Sequence, residues 1–127
     1  MKRITIPARS EYLGDLFDFI SICAQSINLA EEKCQNLLTV AEEIFINIAS
    51  YAYRCEKGDV KVIVKIESGQ IIVEFRDRGK PFNPLSLADI NSRKIGGNGI
   101  LMIKEMSDEV LYKYCDEENI LIIRQNI

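Results

Sequence analysis

The order of helix-like and strand-like segments predicts an α+β fold: a two-layer α/β sandwich, a mostly antiparallel sheet with its helices on one face. Three observations predict it. Two consecutive segments repeat their apolar residues at i, i+3, i+4, i+7 and are joined by a very short link, so they read as neighbouring antiparallel helices. The strand-like segments that follow come in pairs around polar turns, which makes them hairpins. Between the two pairs lies a long stretch rich in Gly and Pro, a loop of the kind that carries function.

Lys2 to Ile6 alternates polar and apolar residues and is stopped by Pro7, so it reads as a short strand. Ser10 is placed to cap a helix over roughly residues 11–27, whose apolar stripe is Leu13, Leu16, Phe17, Ile20, Cys23, Ala24 and Ile27. Asn28 and Leu29 form the link. Glu31 and Glu32 then suit the positive end of a second helix, which runs to about Tyr53. Ala41, Ile44, Phe45, Ile48 and Ala52 form the core-facing stripe of that helix. Val60, Val62, Val64 and Ile66 mark a strand, Ser68-Gly69 a turn, and Ile71, Val73 and Phe75 a second strand that ends on Asp77. A loop, lid-like in composition, covers about residues 78–98. A short helix follows from Gly99, with Ile100, Leu101, Ile103 and Met106 on it. Val110, Tyr112 and Tyr114 mark a strand, and Ile120–Arg124 closes the chain after an acidic turn.

A chain of 127 residues fits one domain with its own core, here residues 1–127 as a whole. The net charge is −3, from 16 basic and 19 acidic residues without a basic run, so direct nucleic-acid binding is not expected. No apolar run approaches the ~20 residues of a membrane span, and the N-terminus lacks the apolar stretch of a signal peptide. A cytoplasmic protein is the expectation. The four cysteines form no CxxC and histidine is absent, which argues against zinc and excludes Ser-His-Asp and Cys-His mechanisms. Buried free thiols are the expected state of most of the cysteines.

Three polar clusters stand out. Glu43 and Asn47, four apart, share a helix face beside the core stripe. An Asn inside an apolar helix needs a reason, since its side chain competes for backbone groups. Its oxygen can ligate a hard cation such as Mg²⁺, and a carboxylate one turn away can orient or deprotonate a hydroxyl. Asp77-Arg78-Gly79-Lys80-Pro81-Phe82, at a strand end, offers a carboxylate to a ligand donor while Gly79 lets the backbone come close, although Asp-x-Gly is also a common plain turn. Gly96-Gly97-Asn98-Gly99, at a helix start, can aim backbone N–H groups at a phosphate, although glycine loops abound. No Gly-x-x-x-x-Gly-Lys is present, so this is not a P-loop.

In this order the three clusters resemble the N, G1 and G2 boxes of the GHKL (Bergerat-fold) ATPase superfamily. The match is closest to its small anti-sigma factor serine/threonine protein kinases, whose pattern residues 77–84 and 96–110 resemble most. The resemblance implies ATP and Mg²⁺ as cofactors. It implies Glu43 as the general base that activates the attacking hydroxyl and Asn47 as the Mg²⁺ ligand. Asp77 would accept from the adenine amino group, with Gly79 and Phe82 supporting that pocket, and Gly97 and Gly99 would cradle the phosphates where the lid ends. The implied partners are an anti-anti-sigma-type protein, phosphorylated on Ser or Thr, a sigma factor that is sequestered, and a second copy in a homodimer. A non-catalytic, nucleotide-dependent partner-binding module of the same fold is the alternative. The chain leaves the family pattern at Tyr51, where a His is frequent, and at Asn119-Ile120, where Gly-Thr is frequent and its hydroxyl supports the adenine-binding Asp.

Overall fold

The structure, a computed structural model, describes residues 1–53, 57–83 and 102–127. Strand β1 is Lys2–Pro7, and a 3-10 turn at Ser10–Tyr12 leads into helix α1, Leu13–Ser26. The expected Ser10 cap does not form: no side chain caps either the 3-10 turn or α1, because the tighter turn already consumes the first residues of the helix. The C-terminal end of α1 is well terminated. Asn28 takes the left-handed conformation (φ 52°), its N–H donates to the Gln25 carbonyl at 3.1 Å, and the Leu29 N–H reaches the Ala24 carbonyl at 3.0 Å. This is a Schellman termination built on Asn rather than Gly, and it turns the chain back within two residues.

Helix α2 is Glu31–Asn47 and continues as a π-helical segment, Ile48–Ala52, in place of a uniform α-helix to Tyr53. Strands β2 (Asp59–Glu67) and β3 (Gln70–Asp77) form a hairpin around Ser68 (φ 49°) and Gly69 (φ 75°). Residues 102–106 are helical. They precede β4 (Glu109–Cys115) and β5 (Glu118–Asn126). The five strands form one sheet in the order β1-β2-β3-β5-β4, and every neighbouring pair is antiparallel. The expected order of elements and the antiparallel two-layer architecture are therefore found.

The core lies between the helices and one sheet face. Leu16 and Ile20 of α1, and Leu37, Ala41, Ile44 and Phe45 of α2, pack against Val60, Val62, Val64, Ile71, Val73, Phe75, Leu121 and Ile123. Val60, Val62 and Val64 of β2 face this core, while Ile63 on the opposite face is also buried; Ile66, expected inside, lies at the hairpin end and is exposed. Among the described cysteines only Cys23 is buried, Cys34 is partly so, and Cys115 at the end of β4 is exposed, against the expectation of mostly buried thiols. No helix among the described residues is long and apolar enough to cross a membrane.

The β4–β5 turn carries local strain. Asp116 (φ 53°) and Glu117 (φ 63°) both adopt left-handed backbone between Cys115 and Glu118, which pair across the hairpin. This is the geometry of a two-residue I′ turn, whose favoured residues are Asn-Gly. Glu117→Gly is expected to raise the unfolding free energy by about 0.5–1 kcal/mol by removing a Cβ from that conformation. A urea titration would check it, and a lower midpoint in the variant would rule the strain out.

Candidate functional site

Asp77 ends β3 directly opposite Asn119, near the start of β5, on the sheet face turned to the helices. Alternation would fill both positions with apolar residues, yet both are polar and buried, at 5% and 4% exposure. The Asn119 amide Nδ2 donates to Asp77 Oδ1 at 2.9 Å, and the Gly79 N–H donates to the same oxygen at 3.0 Å. Burial pushes the Asp77 carboxyl above its usual range, and these two donors partly pull it back. Asn119 Oδ1 in turn accepts from the Phe82 N–H at 3.0 Å and from the Tyr112 hydroxyl.

The other support for residues 77–82 is the end of the second helix. The Lys80 N–H donates to the Ala52 carbonyl at 3.3 Å. The Tyr53 hydroxyl accepts from the Arg78 N–H at 2.8 Å and donates to the Asp59 carbonyl at 2.7 Å. A Cβ on Gly79 would lie 2.4 Å from the Ala52 carbonyl oxygen, so only glycine allows this approach. Tyr51 stacks on Phe82, with ring centroids 5.6 Å apart and planes 24° apart.

On α2, Asn47 is 8% exposed and Glu43 is partly buried, whereas Glu42 points to solvent. Burial raises the Glu43 carboxyl, a hydrogen bond from the Asn47 side chain lowers it, and the Glu42 charge adds to the rise. Asn47 and Asp77 meet in one narrow cleft, with about 20 Å³ open to water, walled by Ile44, Ile48, Ala52, Ile103 and Leu121, with Phe82, Tyr112 and Asn119 completing the lining. Its lining, apolar on its faces with a carboxylate among them, matches the chemistry of a flat heteroaromatic ring that carries a donor. Glu43 does not line this cleft; it adjoins it through Asn47. No cluster of three or more His, Cys, Asp or Glu among the described residues could hold a metal alone. The hard side-chain oxygen of Asn47 fits a Mg²⁺ that would take its remaining ligands from phosphates and water.

The family model of the histidine kinase-like ATPase domain matches residues 6–125. The chain belongs to this family. Its fold agrees: the histidine kinase domain of the blue-light activated histidine kinase from Erythrobacter litoralis EL346 superposes with a TM-score of 0.59 at 18% identity, over 95% of this chain and 61% of that one. The Acinetobacter baumannii histidine kinase AdeS superposes with a TM-score of 0.57 at 12% identity, over 99% of this chain and 68% of that one. The chain thus spans about three fifths of the first of these structures. Among curated proteins, the serine-protein kinase RsbW of Oceanobacillus iheyensis is 23% identical over 116 residues, which is 83% of this chain and 73% of that protein. An ATPase domain of this family implies ATP binding, and the resemblance read from the three boxes agrees with the family assignment.

Of the expected site residues, the ATPase domain gathers Asn47, Asp77 and Phe82 around one cleft. Gly79 lies against the helix end and Glu43 one turn from Asn47. Gly97, Gly99 and residues 84–98 of the expected lid lie outside the described residues. Tyr112 and Asn119 were missed as site residues. Their signal was available: the two-residue turn at 116–117 sets the register that places Asn119 on the core face, where a polar residue is out of pattern. The hydroxyl missing from Asn119-Ile120 is replaced by the Asn119 amide, which supports Asp77 directly.

Gly79→Ala should cost about 1–3 kcal/mol, because backbone, which cannot swing aside, blocks the new methyl. Gly14→Ala, in open space on α1, should be neutral or stabilising by up to about 1 kcal/mol. Thermal unfolding of the pair checks this, and equal losses at both positions would count against the close approach.

Proposed function

We propose that this domain binds Mg·ATP and transfers the terminal phosphoryl group to a Ser or Thr of a small anti-anti-sigma-type partner, and that it also sequesters a sigma factor. One observation carries the nucleotide part: a buried carboxylate at the floor of an apolar slot, one oxygen of which takes both of its hydrogen bonds from the described residues. The similarity to a serine-protein kinase supports the reaction, and the resemblance of the three boxes supports the class of partner. A homodimer in the cytoplasm completes the proposal.

In this reading Asp77 accepts from the adenine amino group, and the apolar walls with Phe82 hold the ring. Asn47 holds Mg²⁺, which when bound supplies charge neutralisation at the phosphates. Gly97 and Gly99 offer backbone N–H groups to the phosphates, and the segment over about residues 78–98 acts as the lid. Glu43 takes the proton from the attacking hydroxyl. Its raised carboxyl suits that task, since a base nearer neutrality accepts a proton more readily.

A second reading, a nucleotide-dependent binding module without catalysis, is favoured by the position of Glu43 outside the cleft. The two differ in product. Calorimetric titration with ATP and Mg²⁺, followed by a phosphotransfer assay on a candidate partner, separates them. Glu43→Gln should bind ATP but lose about 10²–10⁴-fold in transfer rate, and persistent transfer would remove Glu43 as the base. Asn47→Ala should weaken the Mg²⁺-dependent part of ATP binding, and ATP affinity that ignores Mg²⁺ in the parent protein would remove Asn47 as its ligand.

The rate should also depend on pH. Only the ionised Glu43 accepts a proton, so transfer should fall as pH drops through its raised value, earlier than for an ordinary glutamate. Single-turnover rates across acidic pH, with the partner shown to stay folded, would measure this limb, and a flat profile would contradict the assignment.

A further inference from the structure

The Asn119 side chain has a role in the cleft that goes beyond filling it. Its orientation is fixed by chemistry. The Phe82 N–H can only donate, so the atom it meets is the Asn119 oxygen, and the amide nitrogen therefore faces the other way. There it finds three acceptors: Asp77 Oδ1 at 2.9 Å, the Lys80 carbonyl at 3.0 Å and the Gly79 carbonyl at 3.3 Å. The Tyr112 hydroxyl donates to the same oxygen as Phe82, from a ring that itself lines the cleft. Asn119 is thus saturated on both sides and cannot flip without setting donor against donor.

We propose that Asn119, held by Tyr112, is a positioning residue that sets the base selectivity of the cleft. With Gly79 it engages Oδ1 of Asp77, which leaves Oδ2 without a donor among the described residues and so the oxygen to present to a ligand. An oxygen fixed in place accepts from a 6-amino group and repels a 6-oxo group, whereas a carboxyl free to turn or take up a proton would discriminate less. Asn119 therefore selects amino-purine triphosphates through the Asp77 carboxylate it holds in place. This rests on the proposed nucleotide reading of the cleft.

The test is equilibrium binding of ATP and of purine riboside triphosphate, which lacks the amino group, to the parent protein, Asn119→Ala and Tyr112→Phe, with folding of each followed by circular dichroism. The parent should prefer ATP by about 10–100-fold, the range of a hydrogen bond to a charged acceptor. In Asn119→Ala that ratio should collapse towards one, because ATP weakens far more than the analogue. Tyr112→Phe removes a single hydroxyl, and should lower the ratio several-fold; it carries the test alone if Asn119→Ala does not fold. A purely structural role would weaken both triphosphates together and leave the ratio intact, and that result overturns the proposal. A parent protein that fails to bind ATP, or binds the two triphosphates equally, would instead remove the reading of the cleft on which the proposal stands.

Discussion

A carboxylate withdrawn from water must be given donors, and the placement of Asp77 organises much of what surrounds it. It sits where β3 runs out, so no strand partner beyond it can supply them. The following residues curl back so that Gly79 donates from its own backbone, and Asn119 donates from the facing strand. Residues 78–82 form neither helix nor strand. They are held by Asn119 on one side and by Ala52 and Tyr53 on the other. The sheet and the second helix are therefore tied together at the cleft by a short irregular segment in which every backbone N–H has a partner.

This arrangement has a thermodynamic sign. The carboxyls of both Asp77 and Glu43 lie above their ordinary values, and burial is the largest cause in each. An acid whose value is raised on folding favours the protonated form of the folded chain. Its contribution to stability is therefore lost as pH rises from the unfolded value through the raised one. At neutral pH that contribution is gone, more so for the buried Asp77 than for the partly exposed Glu43. Active-site chemistry commonly requires this trade, because a group made comfortable for the fold is less available to a ligand.

Periodicity made the layers legible in the sequence. The helical stripe of Leu16 and Ile20, the alternation of Val60, Val62 and Val64, and the Ser68-Gly69 turn each report on a local preference that the fold obeys. Glu43, Asn47 and Asp77 were legible for the opposite reason, as polar residues in or beside apolar patterns. What escaped was non-local. The 3-10 start of α1 and the π segment after Asn47 preserve the apolar spacing closely enough that a smooth helix explains the letters equally well. Asn119 looked like part of a polar turn, and its partnership with Asp77, 42 residues away, depends on a strand register that composition does not announce.

The π segment has a consequence for how the site is divided. Each residue in such a turn advances the chain around the axis less than an α-helical residue does, so the positions after Asn47 fall out of phase with those before it. Asn47 and Ala52 both reach the cleft, while the Tyr51 ring and the Tyr53 hydroxyl grip the segment after Asp77. A strictly α-helical continuation would have carried position 51 onto the same stripe as 43 and 47; instead its ring lies over Phe82. The helix therefore does two jobs along one shaft, its α part bearing the acid and the amide and its π part gripping the loop. Changes in sequence can retune the end that grips the base-side loop while the end bearing the acid and the amide keeps its aim.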